Sequence, residues 1–541
     1  MTRPLRMVTA ASLFDGHDAA INMMRRLIQA QGVEVIHLGH NRSVDDIVRA
    51  AIQEDADAIA LSSYQGGHME FFRYLHKSLH EAGCAHVAII GGGGGTITPE
   101  EITALEADGI TRIYHPDDGL KLGLPGMIED TMKQVAAHHK AFPRQNASTR
   151  DSQIAHDLSL LENGDEVAYS PTTATKEIPV IGITGTGGAG KSSLTDELLL
   201  RFVQYSDKKI AVLAVDPSRR RTGGALLGDR IRMNALSNPQ LFMRSMATRR
   251  QNLETSKTLK NCIDYLKSQD FDLIVVETAG IGQSDTEIVD LVDMPLYVMT
   301  SEYGAASQLE KIDMLDYAQF IVINKFDKKG SEDALRDVRK QWRRNRNVFD
   351  VDDQSVPVVA TMASQFNDPG VNWLYQRVID SLTKTHQLDR AEWLPTAPFT
   401  FQTPRVNIVV PGSRQRYLSE ISDLGRKLNQ QSDDQADVAS KIQHITTVLR
   451  LMGVTVTDLE PVAADQQSSA NAALIEQYHV SLELLTLENK RLLQKWPTQS
   501  ESFTREHFEY EVRGKKITGD NYRTSLSQLQ IPKVATPRFS S

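Results

Sequence analysis

The sequence has little of what marks secreted, membrane-spanning or nucleic-acid-binding proteins. Its two cysteines, Cys84 and Cys262, support neither a disulfide framework nor a cysteine metal cluster. No apolar run approaches the roughly 18 residues of a membrane span, and the run before Asp15 is too short for a signal peptide. The formal net charge of -9 gives no reason to expect nucleic acid or an anionic membrane as a partner. We therefore expect a cytoplasmic protein that binds neither.

The length and patterning predict several domains. A chain of 541 residues, 40% of them hydrophobic, has material for about two to four domains. Short apolar runs alternate with amphipathic segments over 1–142 and over 178–388, with a polar linker at 143–177 between them. This alternation predicts two α/β units: a Rossmann-like, doubly wound domain and a second parallel-sheet domain. Residues 389–541 lose the alternation and show mostly helical patterns.

The strongest motif is the glycine-rich loop Gly185-Thr-Gly-Gly-Ala-Gly-Lys-Ser192, between a predicted strand and a predicted helix. Backbone N–H groups of such a loop surround phosphates, the lysine neutralises β/γ oxygens, and the serine hydroxyl can bind Mg²⁺. The competing interpretation is a glycine-rich turn without a ligand. The loop predicts a P-loop nucleotide site with Lys191 as its catalytic residue. Its predicted nucleotide-binding residues are Gly188, Ala189, Gly190, Lys191, Ser192 and Ser193.

The base of the nucleotide is predicted by Asn324-Lys325-Phe326-Asp327, which follows the apolar run AQFIVI. An aspartate at this point can accept hydrogen bonds from guanine N1–H and the 2-amino group, and adenine offers no such pair of donors. The alternative is an ordinary polar strand end. Downstream of a phosphate loop, Asn324, Lys325 and Asp327 indicate that the nucleotide is GTP.

Acidic residues at two further strand ends suggest a magnesium site. Asp216 and Glu277 each follow a buried apolar run, and Mg²⁺ is usually held by one or two carboxylates plus phosphates and water. Both could instead be surface acids. The glycine-rich stretch 222–233 could order around a γ-phosphate as a switch segment, or be a plain flexible loop. Gln283 is a candidate for orienting the attacking water.

The first domain carries three features at predicted strand ends: Asp15-Gly-His17, Ser62, and five glycines from Gly91 to Gly95. Doubly wound sheets bind ligands at this edge. A neutral imidazole is a good cobalt ligand, and a carboxylate on its other nitrogen fixes the tautomer and raises its basicity. Spacing alone leaves two interpretations open, a cobalamin domain and a phosphate-binding or response-regulator-like domain.

The motifs of 178–385, in the order GAGKSS, VDPSRR, GGALLGDRIRM, ETAGIGQSD and NKFD, resemble the G-protein chaperones of adenosylcobalamin-dependent acyl-CoA mutases. The resemblance implies that Asp216, Asp229, Glu277 and Thr278 lie around Mg²⁺ and that Arg232 reaches the nucleotide. It also implies a GTPase that is slow alone and coupled to cofactor loading.

The pattern of residues 5–140 resembles the cobalamin-binding domains of the base-off, His-on class. Ala20 stands where the motif of that class has glycine, and Tyr64 stands where it has leucine. The resemblance implies that His17 is the cobalt ligand and that the glycines flank the buried nucleotide tail of the cofactor. The cofactor-binding residues that it assigns are Asp15, His17, Ser62, Gly91 and Gly92.

The combination of the two domains resembles the fused isobutyryl-CoA mutases, and 389–541 resembles their linker region. A (β/α)₈ substrate barrel takes about 250 alternating residues, which this segment does not offer. The resemblance therefore implies a barrel supplied in cis or in trans, which would act on isobutyryl-CoA or n-butyryl-CoA. It also implies an adenosyltransferase as cofactor donor and a homo-oligomer.

Two other functions stay open on the sequence. The chain could be a freestanding cobalamin carrier and GTPase switch that serves a separate methylmalonyl-CoA-type mutase subunit. It could also belong to a corrinoid methyl-transfer system, with methylcobalamin as the bound form. The mutase-chaperone type of the GTPase argues against the second.

Overall fold

A computed structural model describes residues 3–144, 147, 149–168, 177–218, 223–248, 252–278, 288–303, 309–310, 312–404, 417–457, 459–512, 515–525 and 527–535. The chain forms two compact units, Met1–Asn407 and Ile408–Ser541. The first contains two sheets of parallel strands with helices, which confirms the predicted α/β class. None of its described helices, nor any of the second unit, has the length and apolar character to cross a membrane.

The first sheet has the strand order β5-β4-β3-β1-β2-β8. Five of its strands come from the predicted first domain, and the sixth, β8, comes from the chain beyond the phosphate loop. The strands are β1 (Arg6–Ser12), β2 (Glu34–Arg42), β3 (Ala58–Ser62), β4 (Ala88–Gly92), β5 (Arg112–Tyr114) and β8 (Ala225–Leu227). The helices are α1 (Ala19–Ala30), α2 (Val44–Gln53), α3 (His68–Glu81), α4 (Pro99–Ala107) and α5 (Pro116–Ala141).

Local sequence signals explain where these helices begin and bend. Helix α2 begins after Ser43, whose hydroxyl accepts a hydrogen bond from the amide of Asp46. Helix α4 begins with a reciprocal capping box between Thr98 and Glu101. Helix α5 is broken at Gly123, where φ is +65°, a conformation that costs glycine little.

The second sheet has the strand order β13-β12-β11-β6-β10-β7-β9, all parallel. Its strands are β6 (Val180–Gly185), β7 (Ile210–Pro217), β9 (Leu241–Thr248), β10 (Leu273–Thr278), β11 (Met294–Met299), β12 (Phe320–Ile323) and β13 (Val358–Ala360). The described helices of this part are α6 (Arg150–Asn163), α7 (Lys191–Tyr205), α8 (Asn252–Lys267), α9 (Met314–Tyr317), α10 (Ser331–Arg346) and α11 (Pro369–His386).

Helix α6 lies in the segment expected to be a polar linker. Its apolar residues Ile154 and Leu158 are buried in a hydrophobic cluster with Ile263 of α8 and Phe242 of β9. Burial of such side chains contributes roughly 1.5 to 3 kcal/mol each. This part of the segment is therefore packed structure.

The second unit is mostly helical, as expected. In the helix Tyr417–Leu451, Ile442 and Leu449 are buried and form a cluster with Ile475 and Tyr478. An antiparallel pair of strands follows near residue 510, in which Tyr510 lies opposite Ile517. The elements are α12 (Tyr417–Leu451), α13 (Ala472–Leu484), α14 (Leu487–Thr504), β14 (His507–Val512), β15 (Lys515–Asp520), β16 (Tyr522–Thr524) and β17 (Gln530–Pro532).

Candidate functional site

The phosphate loop connects β6 to α7 at the carboxyl edge of the second sheet. Gly188 and Gly190 have φ of +75° and +90°, which glycine adopts without steric cost. The Lys191 Nζ donates to the carbonyl oxygens of Gly185, at 3.0 Å, and Thr186, at 3.3 Å. The ammonium is therefore folded back over the loop, where it would meet phosphate oxygens. The predicted loop residues Gly188, Ala189, Gly190, Lys191, Ser192 and Ser193 all lie on this loop or the first turn of α7.

A carboxylate cluster lies beside this loop. The Ser192 Oγ is 2.7 Å from Glu277 Oε1 and 2.9 Å from Asp229 Oδ1. Burial, and next the charge of Asp229, raise the pKa of Glu277 to about 7. The same two causes raise the pKa of Asp216 to about 7. Neighbouring carboxyl groups do not readily ionise together, because their negative charges repel each other. A divalent cation bound between them would stabilise the ionised forms.

The remaining residues assigned to this cluster lie near it. Arg232 donates from Nη2 to Ser192 Oγ at 3.1 Å and also pairs with Asp229. Thr278 ends β10, directly after Glu277. Among the described residues, no three His, Cys, Asp or Glu side chains form a complete metal-binding group. Gln283 lies outside the described residues.

The predicted guanine-binding motif is fastened to the phosphate loop. Asn324 Nδ2 donates to the carbonyl of Ala189 at 2.9 Å, and Lys325 Nζ donates to that of Gly188 at 2.7 Å. Gly190 approaches the Asn324 amide so closely that a Cβ would lie 2.5 Å from Nδ2. Asp327 is exposed at the following turn, where a base could reach it.

Sequence reasoning missed a second set of contacts to Asn324. Its Oδ1 accepts from Thr361 Oγ1 and from the amide of Ala363, each at 3.1 Å. Both follow β13, the strand beside β12 in the sheet. The available signal was the polar end of the run VPVVATMAS, at the same edge as the other motifs.

A second candidate site is a cavity of about 310 Å³ at the carboxyl ends of β3, β4 and β5. His17 lies beside Tyr64, a residue of the cavity wall, and Asp15 Oδ1 accepts from the amide and the Nδ1 of His17, both at 2.9 Å. Asp15 Oδ2 accepts from the amide of Tyr64 at 2.6 Å. Burial raises the pKa of Asp15, but the bonds from Tyr64 and His17 outweigh it and leave the pKa below its ordinary value. Asp15 is thus a fixed anion that orients an exposed imidazole.

The cavity wall explains the serine and glycines of the sequence pattern. Ser62 Oγ is buried and finds no hydrogen-bond partner within the part of the chain that the structure describes. Such an atom normally costs about 1 to 3 kcal/mol unless a ligand or water satisfies it. A Cβ on Gly91 would lie 2.5 Å from Phe72, and one on Gly93 would lie 1.9 Å from the Ser63 carbonyl oxygen.

Other residues of the wall decide what the cavity admits. Ala20 lines it at the position where the related motif has glycine, and Gly92 lines it beside Gly91. Sequence reasoning missed Tyr114 and Met127, which also line it and make the interior largely apolar. An elongated, largely apolar group that carries a few polar atoms fits this lining.

Comparisons with known proteins agree with both sites. A model of the methylmalonyl Co-A mutase-associated GTPase MeaB matches residues 168–392, and a B12 binding domain model matches residues 5–118. A putative GTPase of Pyrococcus abyssi is 34% identical over 41% of this chain and 69% of its own length.

Two longer relatives match almost all of the chain. The fused isobutyryl-CoA mutase of Geobacillus kaustophilus is 45% identical over 99% of this chain and 50% of its own length. The protein of the same description from Cupriavidus metallidurans is 46% identical over 99% of this chain and 49% of its own. The chain therefore spans about half the length of these curated relatives.

Proposed function

Because the chain belongs to the methylmalonyl-CoA mutase-associated GTPase family and carries a B12-binding domain, we propose that it couples GTP hydrolysis to the loading and protection of adenosylcobalamin for an acyl-CoA mutase. The cobalamin-binding GTPase is the part that the family matches support directly. The adenosyl form of the cofactor, the magnesium ion and an isobutyryl-CoA or n-butyryl-CoA substrate belong to the proposal, which the fused mutase relatives support.

In this proposal the phosphate loop carries the hydrolysis of GTP. Lys191 neutralises charge on the β/γ-phosphates, and Asp327 accepts hydrogen bonds from guanine. Phosphoryl transfer needs mainly such positioning and charge neutralisation from the protein and its metal. The residues proposed to hold Mg²⁺ are Ser192, Asp216, Asp229, Glu277 and Thr278, and Arg232 reaches the nucleotide beside them.

The observation that carries the cobalamin assignment is the cavity with a buried, unsatisfied Ser62 hydroxyl behind an Asp15–His17 pair. Asp15 accepts from Nδ1, which keeps the other ring nitrogen of His17 unprotonated and able to bind cobalt. When bound here, adenosylcobalamin would supply a weak carbon–cobalt bond, the source of its chemistry. The cavity wall, including Gly91 and Gly92, would hold the nucleotide tail and exclude water from it.

Absorption spectroscopy of the bound cofactor tests the assignment. With adenosylcobalamin, the parent should give the spectrum of a base-off, histidine-ligated cofactor, and His17→Ala should lose that spectrum and bind at least about tenfold more weakly. His40→Ala is the matched control, because His40 is an exposed histidine at the end of β2. An unchanged spectrum and affinity in His17→Ala would show that His17 does not bind cobalt.

The partners in this proposal are an acyl-CoA mutase barrel in cis or in trans and an adenosyltransferase that donates the cofactor. We also propose a homo-oligomer. The name of the matched GTPase family keeps a methylmalonyl-CoA-type mutase subunit as the alternative recipient. Transfer of labelled adenosylcobalamin from this chain to each purified barrel, with GTP or GDP present, distinguishes the two recipients.

A further inference from the structure

The segment from Ala225 to Arg232 belongs by sequence to the phosphate-loop domain, yet it completes the sheet of the cobalamin domain. Its strand β8 pairs in parallel with β2, so that Glu34 lies opposite Ala225 and Ile36 lies opposite Leu227. Parallel pairing of this kind fixes the backbone of one strand by hydrogen bonds to the other. The segment is therefore a structural part of both domains.

The fit of the segment against the first domain is close. A Cβ on Gly224 would lie 2.1 Å from the carbonyl oxygen of Gln29. Ile231 packs onto Gly39 of β2, where a Cβ would lie 2.6 Å from Ile231 Cδ1. Close-packed contacts of this kind respond to sub-ångström displacements, because packed interfaces are not continuously deformable.

A buried ion pair fastens the same segment to α2. Arg230, which is 6% exposed, donates from Nη1 to Glu54 Oε1 at 3.1 Å and from Nη2 to Gln53 Oε1 at 2.6 Å. Separating a buried pair leaves an uncompensated charge and is strongly unfavourable. Arg230 and α2 must therefore move together.

The other side of the segment faces the phosphate loop. Asp229, the residue before Arg230, is bound to Ser192 Oγ at 2.9 Å. The amide of Gly228 donates to Asp216 Oδ2 at 3.2 Å, and Arg232 donates to Ser192 Oγ. Asp229 thus contacts the phosphate loop, whereas Arg230 contacts the end of α2 and also the carbonyl of Met243 in β9. Because the two residues are consecutive, a shift of Asp229 displaces Arg230.

Strand β2 leads from this segment to the cobalt-ligand loop. It pairs with β1, which ends just before that loop. At its far end, Asn41 Oδ1 accepts a hydrogen bond of 2.8 Å from the amide of Phe14, the residue before Asp15. Phe14 has φ of +62°, an unfavourable conformation for a side chain other than glycine, which the Asn41 bond helps to hold. The loop geometry therefore depends on the position of β2.

We propose that the segment Ala225–Arg232 transmits the nucleotide state of the phosphate loop to β2 and, through Asn41, to the Asp15–His17 loop. When nucleotide and magnesium bind, Asp229 would exchange its contact with Ser192 for the magnesium ion; this movement would displace Arg230 and β8 and so shift β2. Nucleotide and cobalamin affinities then depend on each other by the same factor, as thermodynamic linkage requires. The predicted effect on cobalamin affinity rests on the proposed function, whereas the displacement of β2 by the nucleotide does not.

Hydrogen exchange of the β2 amides tests the transmission without cobalamin. In the parent, the exchange rates of the Glu34–Arg42 amides should differ about fivefold between the GDP and GTP-analogue states. This factor lies at the low end of the usual range of allosteric coupling between two sites. In Arg230→Met the difference should fall below about twofold. The control is Arg336→Met, because Arg336 is an exposed arginine on α10 that pairs with Asp333 and Asp337 of the same helix. Equal exchange of β2 in both parent states, or a difference that survives in Arg230→Met, would overturn the inference.

If Arg230→Met does not fold, a second variant tests the same proposal. Asn41→Gly removes the acceptor for Phe14, and glycine tolerates the φ of +56° at this position. Its β2 exchange should still respond to the nucleotide. Its cobalamin affinity, measured by absorption, should differ less than about twofold between GDP and GTP-analogue states, against about fivefold in the parent. A nucleotide-dependent affinity that survives in Asn41→Gly contradicts the last step of the path.

The two proposals fail in different ways. If cobalamin does not bind but β2 exchange follows the nucleotide, the proposed function is wrong and the transmission stands. If cobalamin binds with the expected spectrum but neither β2 exchange nor affinity follows the nucleotide, the transmission is wrong and the cofactor assignment stands.

Discussion

Asp327 is the residue predicted to select guanine over adenine, and it is exposed in the structure. Its carboxylate would accept two charge-assisted hydrogen bonds of roughly 1.5 to 3 kcal/mol each. Asp327→Asn should therefore weaken GTP binding about 100-fold or more and improve xanthosine triphosphate binding, because an amide can donate to the xanthine 2-oxygen. Competition with a fluorescent nucleotide measures both affinities.

The control for this prediction is Asp333→Asn, because Asp333 is an exposed aspartate on nearby α10. It should bind both nucleotides as the parent does. If Asp327→Asn retains parental GTP affinity and gains nothing for xanthosine triphosphate, another group reads the base.

The sequence predicts those residues of the nucleotide site that stand in a continuous motif or, like Glu277, at the end of a predicted strand. The loop ending at Ser192 and the motif beginning at Asn324 are such runs, and the structure brings them together. Thr361 and Ala363, which follow a different strand, also contact Asn324. They belong to no motif that marks them in the sequence as part of the site. Contacts of this kind depend on sheet order, which local patterning does not encode.

His37 in β2 makes the first domain sensitive to acid. Burial, together with the charge of Arg25, lowers the pKa of His37 to about 4. The unfolded chain, with a histidine pKa near 6.5, binds the proton more readily below that pH. Stability should therefore fall as pH drops from about 6.5 towards 4, by about 1 to 2 kcal/mol at pH 5 from this residue.

Urea unfolding at pH 7.5 and pH 5 measures this contribution. His37→Gln removes the titrating group but keeps an acceptor for Thr9, whose hydroxyl lies 2.9 Å from His37 Nδ1. It should lose less stability between the two pH values than the parent does. The exposed His40→Gln should behave like the parent, and an equal loss in His37→Gln and parent would assign the acid sensitivity to other groups.

The glycines from Gly91 to Gly95 differ in how much space each leaves for a side chain. A Cβ on Gly93 would lie 1.9 Å from the backbone oxygen of Ser63, whereas one on Gly95 would have nothing within 4 Å. Gly93→Ala must therefore move the β3 loop or β4, at a cost of roughly 1 to 3 kcal/mol. It should also weaken cobalamin binding, since Gly93 lines the cavity. Thermal unfolding and cofactor titration measure the two effects.

Gly95→Ala is the matched control two residues away, and it should leave both stability and cofactor affinity close to those of the parent. If Gly93→Ala and Gly95→Ala behave alike, the run is a flexible loop and its close contacts do not shape the cavity.

Strands β8 and β9 show where sequence patterning stops being informative. Short apolar runs in the sequence predict the other eleven parallel strands. Strand β8 has three residues, and its partner β2 belongs to the other domain. Strand β9 includes Arg244 and Ser245, both buried, which interrupt its apolar pattern. The partner of Arg244, Glu162, lies 82 residues away in the sequence, so no local window joins the two.

The two domains of the first unit are joined by a buried ionic network centred on Arg6. Its side chain, 0% exposed, pairs with Glu34, Glu54 and Glu162 at 3.0 to 3.2 Å. It also donates to the carbonyl oxygen of Ser245 in β9. The Arg6 guanidinium thus contacts three carboxylates, two of which also pair with Arg230 and Arg244, and it connects the cobalamin domain, α6 and the phosphate-loop domain.

Arg6→Met should therefore weaken the whole first unit. The three carboxylates would lose a shared buried cation, and breaking a single buried pair already costs about 3 to 5 kcal/mol. Arg73→Met removes a half-exposed pair with Asp108 and should cost less than about 1 kcal/mol. Calorimetry should show the parent and Arg73→Met unfolding this unit in one transition. Arg6→Met should unfold at lower temperature and in separate steps, and a single transition at parental temperature would mean that apolar packing alone joins the domains.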